Sequence, residues 1–264
     1  MPARLGQNFL RDEKIAEKII QSANLQPDDF VVEIGPGEGI LTEALAKTAG
    51  KVLAIELDKN LIPALQKKFS LNKKVEIINE DILKINLNKF VISYKLTAKS
   101  YAIVANIPYY ITSAIIRLFL ESEIPPREMI LMVQREVAER IVAKPGQMSL
   151  LALSVQYYAR PQVLFPVAAQ AFFPVPKVNS AVIKITLKSP RSNPRETKKF
   201  FQIARAGFAA KRKTLANNLA NSFHLDKKEV ENKLNSIGLT PLTRAQELSL
   251  EDWKKLAEIM NPDL

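Results

Sequence analysis

The chain has 264 residues, 47% hydrophobic and 25% charged, a balance that excludes a disordered, collagenous or low-complexity protein. It contains no cysteine and a single histidine, His224, which excludes disulfides, a thiol nucleophile and cysteine or multi-histidine metal sites. The net charge of +11 favours a polyanionic partner, and the length suits one large domain or two of unequal size. The opening residues, MPARLGQNFLRDEK, lack the apolar run and cleavage site of a secretion signal. No stretch approaches the roughly 18 uncharged apolar residues of a membrane span. The expectation is a cytoplasmic protein with no membrane segment and no metal.

Residues 12–24 read as a helix with Ile15, Ile19 and Ile20 on one side. A β-branched run at 30–34 (FVVEI) predicts a strand, followed by the loop GPGEG and a helix over 40–49. The alternation continues with strand 51–56, helix 59–69, strand 75–79, strand 101–105, helix 112–121, strand 129–133 and a helix in QREVAERIVA. Apolar strands alternating with helices imply an α/β fold, its sheet mainly parallel and covered on both faces. After Pro145, residues 151–158 and 181–187 read as two late strands antiparallel to the rest. Between them, FPVAAQAFFPVPKV has prolines too closely spaced for a helix or a central strand. Residues 189–197 (SPRSNPRET) form a hinge, and helices follow at 198–208, 213–222, 226–236 and 250–260. Asp226-x-x-Glu229 and Ser249-x-x-Asp252 have the form of capping boxes; Thr240-Pro241 reads as a cap with proline at the first helical position. The expected division is an α/β domain over 1–189 and a small all-helical domain over 190–264.

The stretch VVEIGPGEG, from Val31 to Gly39, runs a buried strand into a glycine loop and a helix, the form of a ligand-binding turn. Its G-x-G-x-G spacing, with Ile40 next, matches neither a dinucleotide fingerprint nor a phosphate loop. Glu33 sets an acid beside it, unsuited to a pyrophosphate but acceptable near a cation. Glu56 ends the second strand, where a carboxylate accepts both hydroxyls of a ribose. Asp81 follows the third strand, in place to accept from an adenine amino group. Asn106-Ile107-Pro108-Tyr109 follows the fourth. An amide oxygen and the carbonyl of Pro108 are neutral acceptors that hold the two hydrogens of an exocyclic amine, and Tyr109 offers its base a stacking face. Methyl transfer to such an amine needs no strong base, because the proton becomes acidic only as the bond forms.

From 186 to 215, nine basic residues stand against one acid, Glu196. This reads as a phosphate-binding surface that includes Lys198, Lys199, Arg205, Lys211, Arg212 and Lys213. Arg135 and Arg140 flank a helix beside the sheet, as RNA contacts or as members of structural ion pairs. His224 reads as a surface turn residue and Trp253 as a core anchor.

Several motifs follow one another in order: GQNFL at 6–10, EIGPGEGILT, Glu56-Leu57-Asp58, Glu80-Asp81-Ile82, NIPYYITSAII, MVQREVAER, FFPVPKVNS, KRKTL at 211–215 and RAQELS at 244–249. With them the chain resembles, over nearly its whole length, the RNA adenine N6-dimethyltransferase family, and within it the bacterial small-subunit rRNA enzymes. The glycine loop alone marks a methyltransferase-like sheet; NIPY with FFPVPKVNS narrows the resemblance. It implies a class I S-adenosylmethionine-dependent methyltransferase domain (Rossmann-like, with a seven-stranded sheet) and a small C-terminal all-helical domain. It further implies a monomer that uses S-adenosyl-L-methionine to dimethylate two adjacent adenosines of 16S rRNA within an immature small ribosomal subunit. By this resemblance Gln7, Asn8 and Leu10 line the cofactor site, Gly35 and Gly37 pass under the methionine part, Glu56 takes the ribose and Asp81 the adenine. Asn106 borders cofactor and target amine, with the Pro108 carbonyl beside it, and Tyr109 and Phe173 sandwich the flipped base. On the residues alone, Phe173 is equally a core anchor beneath a rigid proline loop. Ile107 stands where the small-subunit enzymes usually carry leucine and is shared with the large-subunit (23S) antibiotic-resistance enzymes. That type, and a non-catalytic assembly or transcription factor, are the competing readings.

Overall fold

The computed structural model describes residues 8–98, 100–188 and 193–261. Gln7 and the 189/190 boundary therefore lie outside the described residues. From β1 (Phe9–Leu10) the chain enters α1 (Glu13–Ala23), capped by Asp12, whose carboxylate accepts from the Lys14 and Ile15 N–H groups at 2.9 and 3.3 Å. The buried residues Ala16, Ile19, Ile20 and Ala23 recur at helical spacing and share a core with Val31, Val52, Val104 and Ile130 of the sheet.

Five strands run parallel: β2 (Phe30–Ile34), β3 (Lys51–Glu56), β4 (Val75–Asn79), β5 (Tyr101–Asn106) and β6 (Glu128–Gln134). They are joined by α2 (Ile40–Thr48), α3 (Ile62–Phe69), α4 (Leu87–Ser93) and α5 (Thr112–Leu120). After α6 (Arg135–Ile141) and α7 (Leu150–Tyr158) come β7 (Ala159–Val167), β8 (Phe172–Phe173) and β9 (Ser180–Leu187). The seven-stranded sheet has the order β4-β3-β2-β5-β6-β9-β7, and β9 alone runs against its neighbours. β1 and β8 pair antiparallel in a separate ladder. Val52 to Glu56 and Tyr101 to Ala105 are buried without alternation, as a parallel sheet covered on both faces requires. The chain winds outward from β2 through β3 to β4, then returns to β5 on the other side of β2. That reversal opens a crevice beyond the carboxyl ends of β2 and β5, where such sheets bind ligands.

The opposite end of the sheet is closed by charge. Both guanidinium nitrogens Nη1 and Nη2 of Arg127 bind the Asp29 carboxylate, Nη2 at 2.6 Å from Oδ2. The Asp29 carbonyl accepts from the Gly50 and Lys51 N–H groups at 2.9 and 3.1 Å. Beside them Lys184 Nζ lies 2.7 Å from Glu128. Segments leading into β2, β3 and β6, together with β9, are thereby tied together.

By internal packing the chain forms two units, Met1–Glu139 with Ala159–Leu187, and Arg140–Tyr158 with Lys188–Leu264. In the second, α7 joins α8 (Pro194–Gly207), α9 (Leu215–Phe223), α10 (Lys227–Ser236) and α11 (Leu250–Ile259). Trp253, 1% exposed, shares its core with Met148, Leu153, Phe200 and Leu219. A Cβ on Gly207 would stand 2.4 Å from Trp253 Cη2, so only glycine lets α8 pass this ring.

Several expectations are corrected here. Residues 151–158 are helix, not strand: Ser149 caps α7 through the Ala152 N–H, and an uncharged apolar run does not separate buried helix from strand by period. The strand follows it as β7, at the sheet edge, where Pro161 and Pro166 are tolerated. β7 runs with the parallel strands, so only β9 is reversed. Arg140–Tyr158 packs with the tail helices, against a division at 189/190 alone. No helix begins at Pro241; a turn closes there, Thr243 N–H donating to Thr240 O at 3.1 Å. Asp226 caps α10, but Glu229 pairs with Lys233 at 2.9 Å and leaves that capping box incomplete, whereas the one at Ser249 is complete.

The Arg127 hydrogen bond holds the Asp29 carboxyl below its ordinary pKa, against the opposing effect of burial. The stability this pair contributes is present above the unfolded-state value near 3.8 and is lost as pH falls through the lower folded-state value. Asp29→Asn should cost roughly 2 kcal/mol at pH 7 in urea unfolding, because it removes the main partner of Arg127 and leaves only Glu128, 3.7 Å away. The difference from the parent should shrink below pH 4; equal stability at pH 7 would remove this network from the account.

Candidate active site

The loop after β2 turns on glycine. Gly35, Gly37 and Gly39 have φ of 69°, 59° and 79°. At Gly37 a side chain is excluded twice, by that left-handed backbone and by Phe9, whose Cδ1 would lie 2.8 Å from a Cβ. The Gly35 N–H donates to Ile55 O at 2.9 Å and the Gly37 N–H to Glu56 Oε2 at 3.1 Å. The loop is thus fastened to the end of β3.

Glu56 is 4% exposed, and its Oε1 accepts from the Asp58 N–H at 2.8 Å. Burial raises its pKa, and these backbone donors work against that rise. Its neighbour Glu33 is 1% exposed, with Oε2 and the nearby hydroxyl of Thr42 both buried. Burial, opposed by the Thr42 hydroxyl and aided by the charge of Glu56, pushes Glu33 up to about 8. Asn8, Leu10, Glu33, Gly35, Glu56 and Asn106 line one cleft of about 670 Å³. Asp81 lines an adjoining hollow of about 450 Å³ that shares Gly35, Glu56 and Pro108 with it. Asp81 Oδ1 also accepts from the Leu83 N–H at 3.0 Å.

Asn106 ends β5. Its Nδ2 donates to Asn8 O at 3.2 Å, which leaves the amide oxygen as an acceptor without a partner among the described residues. The Pro108 carbonyl accepts from the Ile111 N–H at 3.2 Å and keeps a second lone pair. The Tyr109 hydroxyl lies 2.7 Å from Ser180 Oγ, and Ser180 is completely buried at the start of β9. Burial raises the Tyr109 pKa, so the ring is a neutral, anchored face. The arrangement presents neutral acceptors and a flat ring beside a cleft with acids at two strand ends.

Phe173 is 60% exposed and is not a core anchor. It stands opposite Phe9 in the β1–β8 ladder, outside the cleft lining, with the Arg11 guanidinium 5.6 Å from its ring centre. Arg135 pairs with Glu139 at 2.7 Å, the structural alternative weighed for it. Lys199 Nζ is bound to Glu258 O and Asn261 Oδ1. Lys198, Arg205, Lys211, Arg212 and Lys213 are exposed, as is Arg140. Two residues that shape the site went unrecognised in the sequence: Phe9 beneath Gly37, and Ser180 behind Tyr109. Their only signal was membership of the GQNFL and FFPVPKVNS motifs.

A seven-stranded sheet with a single reversed strand, a glycine loop after β2 and an acid closing β3 is the class I S-adenosylmethionine-dependent methyltransferase fold. The model of a family described as "Ribosomal RNA adenine dimethylase" matches residues 2–262, and the chain belongs to that family. At family level it is therefore an S-adenosylmethionine-dependent rRNA adenine N6-dimethyltransferase. It is 45% identical over 258 residues to a "Ribosomal RNA small subunit methyltransferase A" of Dehalococcoides mccartyi, covering 96% of this chain and 86% of that one. It is 40% identical to the protein so named in Alkaliphilus metalliredigens, over 96% and 90% of the two chains. Among solved structures it resembles a dimethyladenosine transferase from Plasmodium falciparum, with a TM-score of 0.78, 26% identity and coverage of 94% and 95%. It also resembles the 23S rRNA methyltransferase ErmE, with a TM-score of 0.75, 28% identity and coverage of 95% and 98%.

Glu33 makes a distinct prediction. Its folded-state value lies above the unfolded 4.5, so the folded protein holds an extra proton between about pH 5 and 8, and stability declines with rising pH there. Glu33→Gln removes this slope. Urea unfolding of the ligand-free protein at pH 5 and pH 8 should show the variant gaining a few kcal/mol on the parent at the higher pH. Parallel profiles would show that Glu33 is ionised throughout.

Proposed function

We propose that this chain transfers methyl groups from S-adenosylmethionine to the N6 amines of two adjacent adenosines of 16S rRNA, as a cytoplasmic monomer acting on an immature small subunit. The observation that carries the reading is the Asn106–Pro108–Tyr109 cluster: two neutral acceptors and an anchored ring beside the glycine loop. The small-subunit assignment is supported by the name shared by relatives at 40% and 45% identity, against 28% for the 23S enzyme.

The cleft suits the cofactor. The Glu56 carboxylate can take a ribose and Asp81 an adenine amine, while a cationic end bound near Glu33 would draw that buried acid into its charged form. When bound, S-adenosylmethionine supplies the electrophilic methyl group. The chain positions the nucleophile. Asn106 Oδ1 and Pro108 O accept the two amine hydrogens and turn the nitrogen lone pair outward. As that nitrogen goes from planar to tetrahedral, fixed acceptors stabilise the transition state more than the bound base. Tyr109 stacks on the flipped adenine, with the exposed Phe173, paired with Phe9, as the second face.

Glu56→Ala should weaken cofactor binding by about 1.5–3 kcal/mol in calorimetry, through lost charge-assisted hydrogen bonds. Unchanged affinity in a folded variant would sink the ribose assignment. Asn106→Ala should slow single-turnover methylation at least about tenfold with a smaller loss of RNA affinity. Near-normal rates would take Asn106 out of the chemistry.

The deciding experiment is labelled methyl transfer to unmethylated small subunits, with large-subunit RNA as control, followed by nucleoside analysis. The expected product is N6,N6-dimethyladenosine in 16S rRNA. Label confined to large-subunit RNA would favour the ErmE-like reading, and a product halted at monomethyladenosine would overturn dimethylation.

A further inference from the structure

The tail unit holds a second concavity, of about 1340 Å³, built entirely from its own residues. Arg140, Arg205, Lys211 and Lys213 line it and are exposed, while Met148 is buried and Phe208 half-buried at its wall. No acid lines it, and none of the four cations forms an ion pair among the described residues. Elsewhere in this unit Lys227, Lys233 and Lys254 pair with acids at 3.4, 2.9 and 2.9 Å. Gathering four unpaired like charges works against folding.

The shape is nevertheless fixed by hydrogen bonds. Asn218, 3% exposed, donates Nδ2 to Gly207 O at 2.7 Å and Ala210 O at 3.0 Å, which pins the turn that carries Phe208. Opposite, the Gly146 and Met148 N–H groups both donate to Gln246 O, at 2.8 and 3.1 Å. Phe208 itself stacks on Trp253 with ring centres 5.3 Å apart. A preformed hollow with an apolar wall and a cationic rim matches a nucleotide, which has a flat base and one negative charge.

We propose that this pocket binds one unstacked nucleotide of the rRNA partner, its phosphodiester among Arg140, Arg205, Lys211 and Lys213 and its base against Phe208. The proposal rests on the rRNA reading above and adds a contact outside the methyl-transfer cleft. Unpaired RNA is suited to this, because its bases are free to stack on aromatic side chains.

The test is fluorescence anisotropy on the full chain with a short single-stranded oligoribonucleotide and its abasic counterpart, over a range of salt. The pocket variant is Arg205→Gln with Lys211→Gln; the control, equal in charge, is Lys228→Gln with Lys255→Gln on exposed positions of the same unit. The pocket variant should bind at least tenfold more weakly and flatten the salt slope by about 1.4, from two lost phosphate contacts. The control should stay within threefold of the parent, and all three should melt alike. The abasic strand should bind the parent at least threefold more weakly than the complete one. Equal losses in both variants, equal affinity for the two strands, or displacement of RNA by polyglutamate as readily as by RNA would each overturn the proposal. A parent that methylates rRNA and binds the oligonucleotide no better than the pocket variant defeats this pocket alone. A parent that methylates no rRNA defeats the reading on which it rests.

Discussion

The buried carboxylate of Glu56 organises the cleft. It receives the Gly37 N–H on one oxygen and the Asp58 N–H on the other, so one side chain at the end of β3 holds both the glycine loop and its own following turn. Burial alone would drive a carboxyl toward the neutral form; backbone donors aimed at it oppose that shift. The loop cannot relax away without leaving this group unpaired in a dry site. Phe9 then packs where a Gly37 side chain would be, which brings the N-terminal segment to the cleft and carries Asn8 to Asn106.

The reacting face inherits its order from that arrangement. Asn8 takes the amide hydrogen of Asn106, and the remaining amide atom is an acceptor. Ser180 fixes the Tyr109 ring from behind, across the sheet from β9. Residues far apart in the chain, near 8, 35, 56, 106 and 180, therefore meet around one small volume. None of them is a strong base, which suits chemistry at a weakly nucleophilic amine whose proton is released late.

The parallel strands and the glycine loop were plain in the sequence because buried β-branched runs and G-x-G-x-G spacing have local causes. Glu56, Asp81 and Asn106 were found through their places at successive strand ends. What stayed hidden was set by tertiary contact. The run LLALSV carries no polar face to reveal its period, so α7 reads as a strand in the sequence. Ser180 gave no sign of its role, since a serine at a strand start is ordinary until the tyrosine 71 positions earlier arrives beside it. Leu87–Ser93 went unassigned because its cap, Asn86, lies in a stretch of mixed polarity.

The placing of β9 between β6 and β7 bears on how the molecule is made. A ribosome releases β7 before β9, yet among the described strands β9 is the only neighbour β7 has in the sheet. During synthesis Ala159–Val167 must wait, without a ladder partner, until residues to 187 have emerged. Arg140–Tyr158 waits longer still, for tail helices that end at Ile259. Neither unit is a continuous stretch of chain, so each waits for a later segment, the first for residues to Leu187 and the second for the tail helices. Cutting the chain near 189 would leave the α7 core residues Ala152 and Leu153 bare on one fragment and the helices that cover them on the other.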